Sequence, residues 1–398
     1  MMRYKDTLSL SRLITVCIII LLTTGIIIFP QEVLEASKRG IQLWFNTLFP
    51  SLFPFMVATY LLIELGVVHF IGILFEPVMG PIFNVPGEGA FPWMMGIISG
   101  YPIGAKITAD LRCKGKISQV EAQRLIAFTN NSGPLFILGA VSAGMLSKAE
   151  TGFFLLAIHY LSSLTVGLLF RFYKKEKKVH GKKYKNIIKK SFQQLSLIQK
   201  NNSKKIGLIL KESIMSSMDT VVQIGGFVIL FSVTSQLLEL SSLLDLFTKL
   251  FKPFFKLIVF SPKLISAFLL GIIEITNGIS RIGLCSASLK EELALVSFLI
   301  AFGGLSVFMQ TVSVISSSDI NIPIYACAKL LQGLFAFIYS VTFYPQMTKI
   351  SAYTQTVFNP ISYNITNSFW FKSGPYLCAF ICILFILFNI KLFRTKEN

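Results

Sequence analysis

Long apolar runs dominate the chain. Eight windows are apolar enough to cross a bilayer: 13–29, 41–63, 124–146, 152–172, 208–238, 293–315, 323–345 and 374–392. Two further apolar stretches, 91–110 and 264–289, are interrupted by glycine, proline or polar residues. In the first of them "GIISGYPIGAK" (96–106) holds three glycines and a proline. Each Gly costs a helix interior about 1 kcal/mol and a Pro about 3. Non-helical backbone at membrane depth survives only where protein buries it or it lines a watery cavity. The pattern therefore predicts an all-α polytopic membrane protein, with about eight transmembrane helices and two re-entrant hairpins at the interrupted stretches.

Composition agrees: 53% of residues are hydrophobic and 14% charged, against about 25% charged in a soluble domain. The net charge of +18 is unevenly spread, with thirteen Lys/Arg between Arg171 and Lys205 and one acid, Glu176, among them. Basic loops between spans stay on the cytoplasmic side. Arg3, Lys5 and Arg12 precede a first apolar run that reads as a retained span, and the chain closes on "KLFRTKEN". All three basic regions fall in the cytoplasm if the protein crosses eight times and each interrupted stretch enters and leaves on one side. Within the linker "YKNIIKKSFQQLSLIQK" is amphipathic enough to lie on a membrane surface. No aromatic–basic platform accompanies the charge, so no nucleic-acid partner is expected.

The chain also repeats itself. "GIISGYPIGAK" pairs with "GIIEITNGISR" (271–281) at an offset of 175, and "FEP" (75–77) with "FKP" (251–253) at 176. "NNSGPLF" (130–136) pairs with "AFGGLSV" (301–307) at 171. With three crossings and one hairpin per half, the second copy enters from the opposite face, an inverted repeat of the kind found in secondary transporters. The expected divisions are an anchor at 1–30, a first repeat at 40–172 and a basic linker at 173–206. A second repeat at 207–345 and a C-terminal segment at 346–398 complete them.

Candidate chemistry collects at the interruptions. The first hairpin tip offers Ser99, Gly100 and Tyr101, and the second offers Glu274, Thr276 and Asn277. Half-helix N-termini at such tips present N–H donors and a positive dipole end. Lys106 and Arg281 close the two motifs at equivalent places. Facing one cavity, they would suit a small anion, especially a dicarboxylate; snorkelling to the surface, or a local pair of Lys106 with Asp110, is the alternative. Asn130, Asn131 and Ser132 interrupt the next helix, and Gln310 lies in its counterpart. Unpartnered buried amides cost about 1–3 kcal/mol each, so these imply a ligand, an ion or partners on neighbouring helices. Glu274 is open to three roles: taking up a coupling proton, binding sodium, or neutralising Arg281.

No nucleotide-binding, zinc-protease or serine-hydrolase motif is present, and three scattered histidines make no metal site. Neither an enzyme nor a cofactor is expected. The six cysteines match no zinc or redox spacing.

The runs "LFPSLFPFMV", "GIISGYPIGAK", "FTNNSGPLFILGAV", "SSMDTVVQIGGFVILFSV" and "GIIEITNGI" resemble the sporulation integral membrane protein YlbJ (SpoVV) family. That family belongs to the nucleoside-recognition (Gate domain) group, related in architecture to concentrative nucleoside transporters. The resemblance covers roughly residues 40 to 345. It implies an endospore-forming bacterium, the outer forespore membrane, and movement of dipicolinic acid, a small aromatic dicarboxylate, towards the forespore. The family's motifs fall on Ser99 to Lys106, Asn130 to Pro134 and Glu274 to Arg281. The expected function is a secondary transporter of a small anion, coupled to a proton or sodium; a non-transporting scaffold in spore-envelope assembly is the alternative.

Overall fold

The computed structural model describes residues 10–174, 187–201, 204–256 and 262–357, and every regular element among them is helical. The expected span 374–392, the C-terminal tail and linker residues 175–186 lie outside the described residues. Contacts separate a compact unit ending at Phe343 from a unit beginning at Tyr344.

Helix α1 (Leu10–Ile28) bends by 105° into α2 (Pro30–Leu43). Pro30 begins α2 at little cost, because the first helical residues have no intrahelical acceptor for an N–H. A π-helical turn, Trp44–Leu48, joins α2 to α3 (Phe49–Glu64). Gly66, at φ 78°, then turns the chain into α4 (Val67–Phe83). A hairpin follows, of α5 (Ala90–Ile98) and α6 (Ile103–Cys113). Next comes a broken helix: α7 (Gln119–Thr129), a non-helical stretch at 130–133, and a π-helical segment, Phe136–Met145. Helix α8 (Gly152–Phe170) closes this half, and α9 (Ile187–Asn201) lies in the linker.

The same order then recurs. Helix α10 (Ile206–Leu240) turns at Ser242, φ 56°, into α11 (Leu243–Lys256). The second hairpin is α12 (Pro262–Ile273) and α13 (Ile275–Leu284). A second broken helix follows, α14 (Leu289–Phe302) and α15 (Gly304–Ile315), and then α16 (Ile322–Val357). Both broken helices open on a Ser-x-x-Glu capping box, Ser118 with Glu121 and Ser288 with Glu291, which satisfies two orphan N–H groups reciprocally. These boxes stand 170 residues apart, as do Gly133 and Gly303 at the breaks. The structural register after the hairpins is thus one residue tighter than the expected 171.

Among the described residues four segments are long and apolar enough to span a membrane: Ala149–Phe170, Ile206–Leu240, Leu289–Ile315 and Ile322–Met347. The bent pair Thr15–Ile28 and Pro30–Leu48 makes up to five. The expected windows 41–63 and 124–146 are instead interrupted helices, the first by the π turn and the second by the break at 130–133. Helix α10 packs along α2 and α3, with Trp44 donating its indole N–H to the Val221 carbonyl at 2.9 Å. Of the amphipathic linker stretch, Ile187–Asn201 is helical and covers α4: Leu195 is buried, and Phe192 meets Phe70 edge-on at 4.8 Å.

Glycines let the hairpins close backbone to backbone. A Cβ on Gly96 would stand 1.7 Å from the Thr129 carbonyl oxygen, and one on Gly104 would stand 2.1 Å from the same atom. In the second hairpin a Cβ on Gly278 would meet the Gly271 Cα at 2.1 Å. Each hairpin is therefore seated by a glycine pair, and the first is pressed against the last carbonyl of α7.

Candidate functional site

Both hairpin tips, the first break and the start of α15 converge on one cavity. Ser99, Gly100 and Tyr101 line it from the first tip, Gly133 from the first break, Glu274 and Thr276 from the second tip, and Ser306 and Gln310 from α15. Apolar walls come from Leu48, Leu52 and Met56 on one side and from Ile224 and Val228 of α10 on another. The empty space amounts to about 580 Å³, counted out to its mouth. Glu274 is the acidic side chain of the lining and is buried. Its carboxylate caps α13, accepting from the Asn277 N–H at 2.7 Å and from the Thr276 hydroxyl at 2.5 Å. Tyr101 packs against Phe136 at 5.9 Å and lies within electrostatic reach of Glu274, so the two tips are neighbours. Ser99 Oγ is buried at the cavity without a hydrogen-bond partner.

Six expected site residues therefore meet here: Ser99, Gly100, Tyr101, Glu274, Thr276 and Gln310. The two cations do not. Lys106 is exposed, on the face of α6 opposite Gly104 and Thr108; two residues rotate a helix by about 200°. Arg281 is 43% exposed and pairs with Glu239 of α10. Asn277 donates to the Ser232 hydroxyl at 2.8 Å and, with Arg281, borders a smaller polar pocket beside Arg39. The pairing of Lys106 with Arg281 around one anion is thereby corrected, because each sits on the outward face of its hairpin arm.

Asn130, Asn131 and Ser132 are buried in a network that ties the first break to the second half. The Asn130 amide donates to Thr311 Oγ1 at 2.9 Å and to the Tyr325 hydroxyl at 2.6 Å. Ser132 Oγ donates to the Ile300 carbonyl at 3.1 Å, and its N–H donates to His159 Nε2 at 3.0 Å. Asn131 Oδ1 accepts from Gln332 at 3.1 Å. Gln332 in turn accepts at 2.7 Å from Lys329, whose ammonium also reaches the Asn130 carbonyl at 3.0 Å. Lys329, Gln332 and His159 escaped the sequence reading. The available signal was a lone lysine inside the apolar window 323–345, since an ionisable residue within a span marks a site by default.

Arg124 is likewise buried, and it donates to the carbonyls of Asn84, Tyr173 and Lys174 at 2.8–3.1 Å. It anchors the start of the basic linker to the end of α4. Among the described residues no cluster of three or more His, Cys, Asp or Glu side chains is placed to hold a metal ion.

Together these features define a class: an all-helical integral membrane protein with two helical hairpins and two broken helices packed around a polar-tipped, apolar-walled cavity. Residues 45–149 match the Gate family model, described as nucleoside recognition. Over 339 residues the chain is 40% identical to the sporulation integral membrane protein YlbJ of Bacillus subtilis (strain 168), covering 83% of each protein. The chain belongs to the YlbJ family of sporulation integral membrane proteins. A solved structure of an asparagine-to-leucine variant of CNTnw in the intermediate 3 state aligns over 83% of this chain and 84% of that one, with 12% identity and a TM-score of 0.41.

Proposed function

We propose that this protein is a secondary transporter that moves a small solute during sporulation by alternating access around the cavity. The observation that carries the reading is the convergence of both hairpin tips with the first helix break and the start of α15 on one cavity. Broken helices meeting at depth are how transporters present backbone dipoles and short polar side chains to a solute. In this reading the halves 40–172 and 207–345 are inverted repeats, and the hairpins re-enter from opposite faces. Eight crossings with both termini in the cytoplasm remain part of this proposal, supported by the basic regions of the sequence.

The proposed solute is dipicolinic acid, and the proposed location is the outer forespore membrane. Apolar walls suit a flat aromatic ring, while Ser99, Tyr101 and Gln310 offer hydrogen bonds to its carboxyl groups and Thr276 positions Glu274. Glu274 must be protonated when such an anion binds, because an ionised carboxylate in the lining would repel it. The acid then donates a hydrogen bond, and solute entry is linked to a proton.

The test uses sporulating cells that lack their own copy and carry this chain. Thr276→Val and Gln310→Leu should each lower spore dipicolinate at normal protein level, while Lys106→Ala, outside the cavity, should not. Normal dipicolinate in both cavity variants would contradict the reading and favour a scaffold role.

A further inference from the structure

The first helix break is capped at both ends by side chains from elsewhere, and the two caps have opposite character. On the α7 side the exposed end of the helix dipole is negative, and the Asn130 carbonyl there receives the Lys329 ammonium at 3.0 Å. On the other side the Ser132 N–H, at the positive end, is received by His159 Nε2 at 3.0 Å. His159 stands seven residues into α8 and Lys329 seven residues into α16. They are also 170 residues apart, the register of the two capping boxes, so equivalent helices of the two halves supply the two caps.

Lys329 is 3% exposed. Its hydrogen-bond partners are neutral, the Asn130 carbonyl and Gln332 Oε1, and among the described residues no carboxylate forms an ion pair with it. The groups packed around it are Asn130 and Asn131 at the break, Gln332 on its own helix, and His159 on α8, which feels its charge. A buried ammonium without a counter-charge carries a desolvation penalty of several kcal/mol. Carbonyl and amide oxygens around a helix C-terminus are, however, the ligands a hard alkali cation prefers. Asn130 Oδ1 and His159 Nδ1 are buried beside this cluster with no hydrogen-bond partner, so the break retains unused polar capacity.

We propose that the Lys329 ammonium is a resident cation, filling the place at the C-terminal end of α7 where a transporter of this architecture would otherwise bind sodium. The transport cycle then turns on gain and loss of the Lys329 proton, and sodium is not required. The ion-site part stands on the geometry alone; the coupling part rests on the transporter reading.

The test begins with the purified full-length protein, unfolded by heat in sodium chloride and in N-methylglucamine chloride at equal ionic strength. Wild type should unfold at the same temperature in both. Lys329→Ala should unfold earlier in N-methylglucamine and recover as sodium replaces it. A wild type stabilised by sodium, or a Lys329→Ala protein blind to it, would overturn the resident cation. A second variant, Gln332→Glu, keeps the volume and adds a carboxylate that should hold the proton on Lys329 roughly tenfold more tightly or more. In liposomes its dipicolinate flux should fall by roughly tenfold or more while wild-type flux stays indifferent to sodium, and undiminished flux would overturn the coupling. A wild type with no flux at all defeats the transporter reading and the coupling with it; the unfolding comparison still decides the ion site.

Discussion

The seating of the first hairpin rests on two missing methyl groups, and alanine restores them. A Cβ at Gly96 would lie 1.7 Å from the Thr129 carbonyl oxygen and one at Gly104 2.1 Å from it. Ordinary C···O contacts are roughly 3.3 Å or longer, so the hairpin must retreat by about 1.6 Å in Gly96→Ala and about 1.2 Å in Gly104→Ala. The obstacle is backbone, which cannot swing aside as a side chain would. Overpacking costs about 1–3 kcal/mol, and the upper end applies here. The Ala gains about 1 kcal/mol of helix propensity over Gly, leaving a net loss of about 2 kcal/mol. Gly226 of α10 is an internal control: it is helical, exposed, and meets nothing within 4 Å. Gly226→Ala should be neutral or stabilising by up to about 1 kcal/mol. The assay is thermal unfolding of the detergent-solubilised variants, followed by fluorescence-detected gel filtration. If Gly96→Ala and Gly226→Ala unfold at the same temperature, the backbone contact does not exist as described. A stable Gly96→Ala protein with normal dipicolinate transport would further show that the tip does not depend on its seat.

Other consequences are open to similar measurement. Lys148→Ala should destabilise by about 2 kcal/mol, because it strands the buried Glu292 carboxylate that Lys148 neutralises; adding Glu292→Leu should recover most of the loss in the same unfolding assay. Arg124→Lys should cost about 2 kcal/mol and loosen the linker to protease, since an ammonium cannot serve the three carbonyls that the guanidinium reaches. The Arg112 guanidinium, donating to both Asp319 oxygens at 2.8 Å, holds that carboxyl below its usual value. This pair supports folding above about pH 4, and the support is lost as pH falls through the lowered folded-state value; Asp319→Asn should remove that acid-side slope from the unfolding profile. Glu274→Gln should keep the fold, retaining a carbonyl to cap α13, while dipicolinate binding to the purified protein loses its dependence on pH.

Much of the architecture was legible because its signals are strong. The apolar windows among the described residues became helices, the doubled glycine motif became two hairpins, and "NNSG" became a break. What periodicity could not supply was the facing of single side chains. Lys106 follows Gly104 by two residues, and that spacing puts it on the far side of α6. Arg281 found a partner, Glu239, in α10, 42 residues away and in a different element. The π turn at Trp44–Leu48 has no composition signal, so the window 41–63 read as one plain span. Lys329 was visible as a charge in a span. Its meeting with Asn130, 199 residues upstream, required the fold.

The most direct measurement of the central claim is dipicolinate flux into liposomes holding the purified protein, with Tyr101→Phe, Thr276→Val and Gln310→Leu compared against Lys106→Ala and Arg281→Ala. The account predicts saturable uptake that falls in all three cavity variants and persists in both outward-facing ones. Uptake no greater than in empty liposomes, or uptake lost only when Lys106 or Arg281 is changed, would contradict it.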